Sequence, residues 1–181
     1  MVAEVSKGRD VPQVGALVDP TTEHGKWRCR YRLEKWHRSE DKDTGLAPDE
    51  TIEREGNLLV TAGITALLTL LIGGGGTAFN AANAAIGVGD SSTAATIGQT
   101  NLSAATNKLR KTVKQAPGVA ANVVTFVADF VSAEANFVWN EFGVFNSNVD
   151  ASGTMLNRAV AALGTKAAGS TWTLTVTITI T

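Results

Sequence analysis

Thr171-Trp172-Thr173-Leu174-Thr175-Val176-Thr177-Ile178-Thr179-Ile180-Thr181 alternates polar and apolar side chains at every step. Six threonines fall on one face of an extended chain, and Trp172, Leu174, Val176, Ile178 and Ile180 fall on the other. This period of two belongs to a β-strand buried on one side. Its β-branched residues suit a pleated, half-buried surface. An unpaired edge this long and apolar would invite aggregation. The segment is therefore expected inside a sheet, or completed by a neighbouring subunit, in a β-rich scaffold better suited to packing than to turnover.

The same reading extends upstream. From Lys26 to Trp36, Trp27, Cys29, Tyr31 and Leu33 lie on one side, and Lys26, Arg28, Arg30, Arg32 and Glu34 on the other. That is an amphipathic strand with a basic outer face. Ser39 to Glu50 is charged, contains Gly45 and Pro48, and reads as a turn. Over 57–72 the period changes: Val60, Ile64, Leu67, Leu68 and Leu71 recur at helical spacing, with Asn57 or Thr61 as N-cap and Gly73 as the left-handed stop. Short strands are expected at 84–90, at 108–114 as an edge, at 123–131 and at 136–145 with a bulge at Gly143; 155–163 fits strand or helix, and its place between two strands of a meander favours strand. Ser91 to Ala105 reads as a long loop anchored by Leu102. The expected fold is mainly β: an antiparallel sandwich or barrel-like body with sequential strand pairing, one short α-helix and an extended N-terminal arm. The expected organisation is an arm over 1–25, a basic strand and charged turn region over 26–56, and the body over 57–181.

With 181 residues, a net charge of −1 and a pI near 6.1, nothing global points to nucleic acid or membrane. One cysteine excludes an internal disulfide framework. The amino terminus lacks a signal-peptide apolar region, and the run Ile64 to Ile72 is far below the roughly 20 residues that cross a bilayer. A protein made in a reducing cytoplasm is expected. Residues 1–56 carry 22 of the 33 charges, leaving 11 for the 125 residues that follow. So sparsely charged a body is expected to be covered by copies of itself or by another protein.

Chemistry-bearing residues are few. His24 and His37 lack metal-ligand spacing. Cys29, on an apolar strand face, reads as a buried thiol. Gly73-Gly74-Gly75-Gly76 lacks the Lys-Ser/Thr of a phosphate-binding loop. Asp90, after Gly89, suits an Asx-turn. Asp129 and Glu141 are the best candidates for a carboxylate pair of glycosidase type, but Glu141 is more simply read as accepting backbone N–H groups or pairing with Arg158. Arg28, Arg30 and Arg32 beside Trp27, Tyr31 and Trp36 carry the pattern of a nucleic-acid surface. Glu34, Glu40, Asp41 and Asp43 follow at once and neutralise it, so a solvated or protein-facing stripe is the better reading.

A resemblance enters on Gly56-Asn57-Leu58-Leu59-Val60-Thr61-Ala62-Gly63-Ile64, Ile86-Gly87-Val88-Gly89-Asp90, Gln99-Thr100-Asn101-Leu102, Ala135 to Asn146 and Thr154-Met155-Leu156-Asn157-Arg158. These segments resemble small structural proteins of tailed bacteriophages. The Gly-x-Gly-Asp turn and the Glu-Phe-Gly-Val-Phe strand are also similar to the amino-terminal module of tail-collar fibre proteins. The resemblance implies a virion protein without enzymatic residues, cofactor or metal. The expected role is a capsid cement or decoration protein, with the major capsid protein or other virion proteins as partners and self-association into a homo-oligomer. The alternatives are a tail-fibre, collar or baseplate protein and, further off, a carbohydrate-binding or hydrolytic accessory protein. Partner contacts are expected from Val11, Val14, Leu17 and Val18 of the arm and from Trp27, Arg28, Arg30, Arg32 and Trp36.

Overall fold

The computed structural model describes residues 26–181; Val11, Val14, Leu17, Val18 and His24 lie outside the described residues. Ten strands and two helices follow in chain order: β1 (Trp27–Trp36), α1 (Ser39–Asp43), β2 (Glu50–Glu55), β3 (Leu58–Leu59), α2 (Thr61–Leu71), β4 (Ala85–Gly89), β5 (Lys108–Thr112), β6 (Gly118–Ala120), β7 (Val123–Phe130), β8 (Val138–Phe145), β9 (Met155–Thr165) and β10 (Thr171–Ile180). They form two five-stranded antiparallel sheets, ordered β2-β1-β10-β7-β6 and β3-β9-β8-β4-β5.

The alternating segment that opened the reading is the middle strand of the first sheet. β10 pairs with β1 from Trp27↔Ile180 to Trp36↔Thr171 and with β7 from Trp172↔Phe130 to Thr179↔Val123. Its apolar face, with Cys29, Tyr31 and Leu33 of β1 and Phe126, Ala128 and Phe130 of β7, packs against Trp139, Phe142, Val144, Ala159 and Leu163 of the second sheet. Edge-to-face aromatic pairs bridge the layers: Tyr31–Phe142 at 4.8 Å, Phe130–Trp139 at 4.7 Å and Trp139–Trp172 at 4.8 Å between ring centroids. The mainly β, antiparallel sandwich is therefore what the alternation predicts.

The pairing is not sequential throughout. β9 to β10 and β7 to β8 cross from one sheet to the other, and the strand nearest one end of the described chain pairs with the strand nearest the other. Residues 26–56 are part of the body, because β1 and β2 complete the first sheet. The Ser39–Glu50 turn contains the one-turn helix α1, so the described residues hold two helices and not one. The expected helix over 57–72 is shorter, because Leu58 and Leu59 pair with Arg158 and Asn157 as β3. Its N-cap is Val60, without a side-chain cap, and Asn57 instead accepts a hydrogen bond from the Trp27 indole at 3.1 Å. The left-handed stop falls at Gly73 (φ 68°) as expected. The helical stripe is also turned: Gly63 is buried, whereas Leu68 and Leu71 face solvent.

Two further expectations are corrected. Gly143 is in register, opposite Gly87 and Arg158; the ladder irregularities lie between Trp139 and Glu141 and between Val144 and Phe145, where β9 carries the extra residues. Gly143 is needed for space, since a Cβ there would sit 2.6 Å from the Asn157 carbonyl. Asp90 makes no Asx-turn bond; its carboxylate accepts from the Asn107 side chain at 2.8 Å, closing the β4–β5 connection.

Candidate functional site

The outer face of the first sheet is where the expected basic stripe sits. Arg28, Arg30 and Arg32 alternate outward on β1, opposite Thr179, Thr177 and Thr175 of β10. The neighbouring β2, absent from the sequence reading, sets its carboxylates directly across from them: Arg30↔Glu55 and Arg32↔Glu53. Arg30 meets Glu55 at 2.8 Å, and Arg32 meets Glu34 at 2.9 Å and Glu53 at 3.3 Å. The hydrogen bond and charge of Arg30 hold the Glu55 carboxyl below its ordinary range. Arg30 and Arg32 are thus neutralised by their own sheet, and by different carboxylates from the four expected except for Glu34, while Arg28 lies opposite Thr179. Cross-strand pairs of this exposure contribute little to stability; what they set is a surface of alternating charge.

The expected aromatic partners do not join this face. Trp27 points to the other side of β1 and donates to Asn57. Trp36 is buried, donates to the Leu46 carbonyl at 2.9 Å and carries the Lys42 ammonium 5.2 Å from its ring centroid. The arginines and tryptophans therefore do not form one basic-aromatic surface.

The two carboxylates read as a possible pair are on different sheets. Asp129, on the outer face of β7, takes hydrogen bonds from Lys42 and Thr173, each at 2.7 Å. Burial pushes its carboxyl up, but these bonds and the charges of Lys42 and Lys114 outweigh that and hold it low. Glu141 is fully enclosed. It receives the Ser103 and Ala104 backbone N–H groups at 3.0 and 2.7 Å and the Arg158 Nε at 2.6 Å. Arg158, also without solvent exposure, reaches on to Gln99 at 3.0 Å and the Thr93 carbonyl at 2.9 Å. Both alternatives offered for Glu141 are present together, and the result is a clamp that fastens the 91–105 loop over the second sheet. Beside it, Leu102, Phe145, Met155 and Val60 make a small second core.

His37 is exposed and lies 3.4 Å from Asp49. Cys29 is buried, and burial raises its thiol pKa from 9.0 to about 12. A group whose folded pKa lies above its unfolded value stabilises the fold fully below pH 9 and loses that contribution as pH rises toward 12. Relative to a Cys29→Ala variant, the protein should therefore lose about 1–2 kcal/mol of unfolding free energy between pH 8 and 10.5. Urea unfolding of both proteins at the two pH values measures this. Lys166, lowered by burial to about 8, works in the opposite direction but cancels in the comparison.

Sequence reasoning missed an apolar groove at one end of the sandwich. It has a volume of about 370 Å³ and lies between α2 and the first sheet, among Leu67, Leu70, Phe79, Val119, Phe126, Ile180 and Trp27. Only the Trp27 alternation and the helical leucines hinted at it. Gly118-Val119-Ala120 is too short and too small in its residues to announce β6. Among the described residues, no three His, Cys, Asp or Glu gather as a metal site, and no helix is long and apolar enough to cross a membrane. Comparison with protein-family models, curated proteins and solved structures found no match to this chain.

Proposed function

We propose that this chain is a structural component of a tailed-bacteriophage particle, binding the capsid shell as a cement or decoration protein. The observation that carries the reading is the apolar surface left exposed at the end of α2 and on β6. Leu71 and Ile72 are 79% and 81% exposed at the end of α2, and Val119 of β6 is 77% exposed. Lys26, which follows chain 1–25, precedes Trp27, and Trp27 lines the same groove as Val119. Exposed apolar side chains grouped at a surface mark a place of contact with another protein. The resemblance of residues 56–181 to phage structural proteins supplies the class of partner. Such a protein would act through many weak contacts repeated over a lattice, where avidity makes attachment tight without a single strong site.

Deleting residues 1–25 should leave the circular dichroism of the body intact while abolishing co-sedimentation with purified shells. Truncated protein that sediments with shells as well as the full chain does would refute the arm's part in attachment. Antibody labelling of particles separates the two virion readings. Label on heads supports a shell protein, label on tails favours the collar or baseplate alternative, and particles without label overturn both.

A further inference from the structure

The groove between α2 and the first sheet has an apolar floor and rim but no occupant from residues 26–181. Val119 and Ile180, two of the side chains that line it, are 77% and 56% exposed. Leaving such a patch to water is unfavourable by roughly 25 cal/mol for each Å² of apolar surface. The chain itself holds a segment of matching chemistry. Residues 11–18, Val-Pro-Gln-Val-Gly-Ala-Leu-Val, contain no charge, whereas Glu4, Lys7, Arg9 and Asp10 precede them and Asp19, Glu23 and Lys26 follow.

The point of attachment is also right. The Lys26 backbone is hydrogen-bonded in both directions to Thr181, next to Ile180, and Trp27 lines the groove. Seven residues lie between Val18 and Lys26, and the eight steps from one to the other reach up to about 26 Å when extended. Pro20 and Gly25 within it are residues that reverse a chain. A tether that short gives a segment a high effective concentration at a neighbouring site.

We propose that residues 11–18 of the same molecule cover this groove, setting Val11, Val14, Leu17 and Val18 against Leu67, Phe79, Val119 and Ile180. The proposal rests on the groove and the sequence; it assigns Val119 to the arm and leaves Leu71 and Ile72 exposed for contact with another protein. The charged residues ahead of Val11 are left outside the groove for other contacts.

Paramagnetic broadening on the full-length protein tests it. A nitroxide on an Ala16→Cys variant labels the arm alone, because the native Cys29 thiol is buried and stays protonated at neutral pH. With label and ¹⁵N in one molecule, diluted into unlabelled protein, the amide signals of Val119, Ala121 and Ile180 should be lost while those of Asp150 and Ser152 persist. Adding Leu17→Asp should restore the lost signals. Undiminished groove signals overturn the proposal. So does broadening seen only when spin label and ¹⁵N are on separate molecules, which would make the occupant a second copy's arm. Broadening that survives Leu17→Asp overturns apolar docking as its cause.

Discussion

Arg158→Met should destabilise the fold by about 3–5 kcal/mol, the usual cost of stripping one partner from a buried ion pair. Glu141 would remain fully enclosed with its charge uncompensated. Many buried pairs can be replaced together by apolar residues at little cost, because the desolvation penalty disappears with the charges. This one should resist such replacement. Glu141 also satisfies the Ser103 and Ala104 backbone N–H groups, and Arg158 satisfies the Thr93 carbonyl. A Glu141→Leu, Arg158→Met double variant would strand those backbone groups, each at about 1–3 kcal/mol if it stays buried. Urea unfolding should place the double variant at least about 2 kcal/mol below the parent, with faster amide exchange at Ser103 and Ala104 than in the rest of the second sheet. A double variant as stable as the parent would show that the loop does not depend on the pair.

That clamp was half legible in the sequence, and the half that was missing explains where such reading stops. Glu141 lies among Trp139, Phe142 and Phe145 in a strand, so a partner such as Arg158 could be inferred from its surroundings. The loop that crosses it could not, because Ser91 to Ala105 carries no periodicity. The first sheet was legible wherever one side meets the core and the other water, as on β1, β7 and β10. It was illegible at β2, where Glu50-Thr51-Ile52-Glu53-Arg54-Glu55 is exposed on both faces except around Ile52. Period-two reading needs a buried face, and an edge strand of charges does not provide one. That omission carried over to function: without β2 the neutralisation of the β1 arginines was assigned to Glu40, Asp41 and Asp43 as well as Glu34, and only Glu34 takes part, beside Glu53 and Glu55. The helix was found from its apolar spacing; Val60 and Leu67 of that stripe do face inward, but Leu68 and Leu71 do not.

The reason is Gly63, and it yields a prediction whose sign differs from the one helix propensity gives. A glycine in a helix interior costs about 1 kcal/mol relative to alanine, so Gly63→Ala would ordinarily stabilise α2 by that amount. Here a Cβ would stand 2.2 Å from the Leu156 carbonyl oxygen, 2.7 Å from its Cα and 2.8 Å from its carbonyl carbon. None of these atoms can yield easily. Leu156 is 2% exposed in the core, and its carbonyl already accepts the Val60 N–H at 3.2 Å at the start of the helix. The helix is drawn so close at Gly63 that the residues a turn or two further on, Leu67 and Leu70, face inward over the groove, while Leu68 and Leu71 are left outside. Adding one methyl must lift α2 from β9, and overpacking against backbone then outweighs the propensity gain. Gly63→Ala should cost about 3 kcal/mol net and loosen the groove wall. By contrast, Thr65→Ala, exposed on the same helix, should gain a few tenths of a kcal/mol. Thermal and urea unfolding of the two variants measures the difference. A Gly63→Ala protein more stable than its parent would mean that α2 does not sit against Leu156 as described.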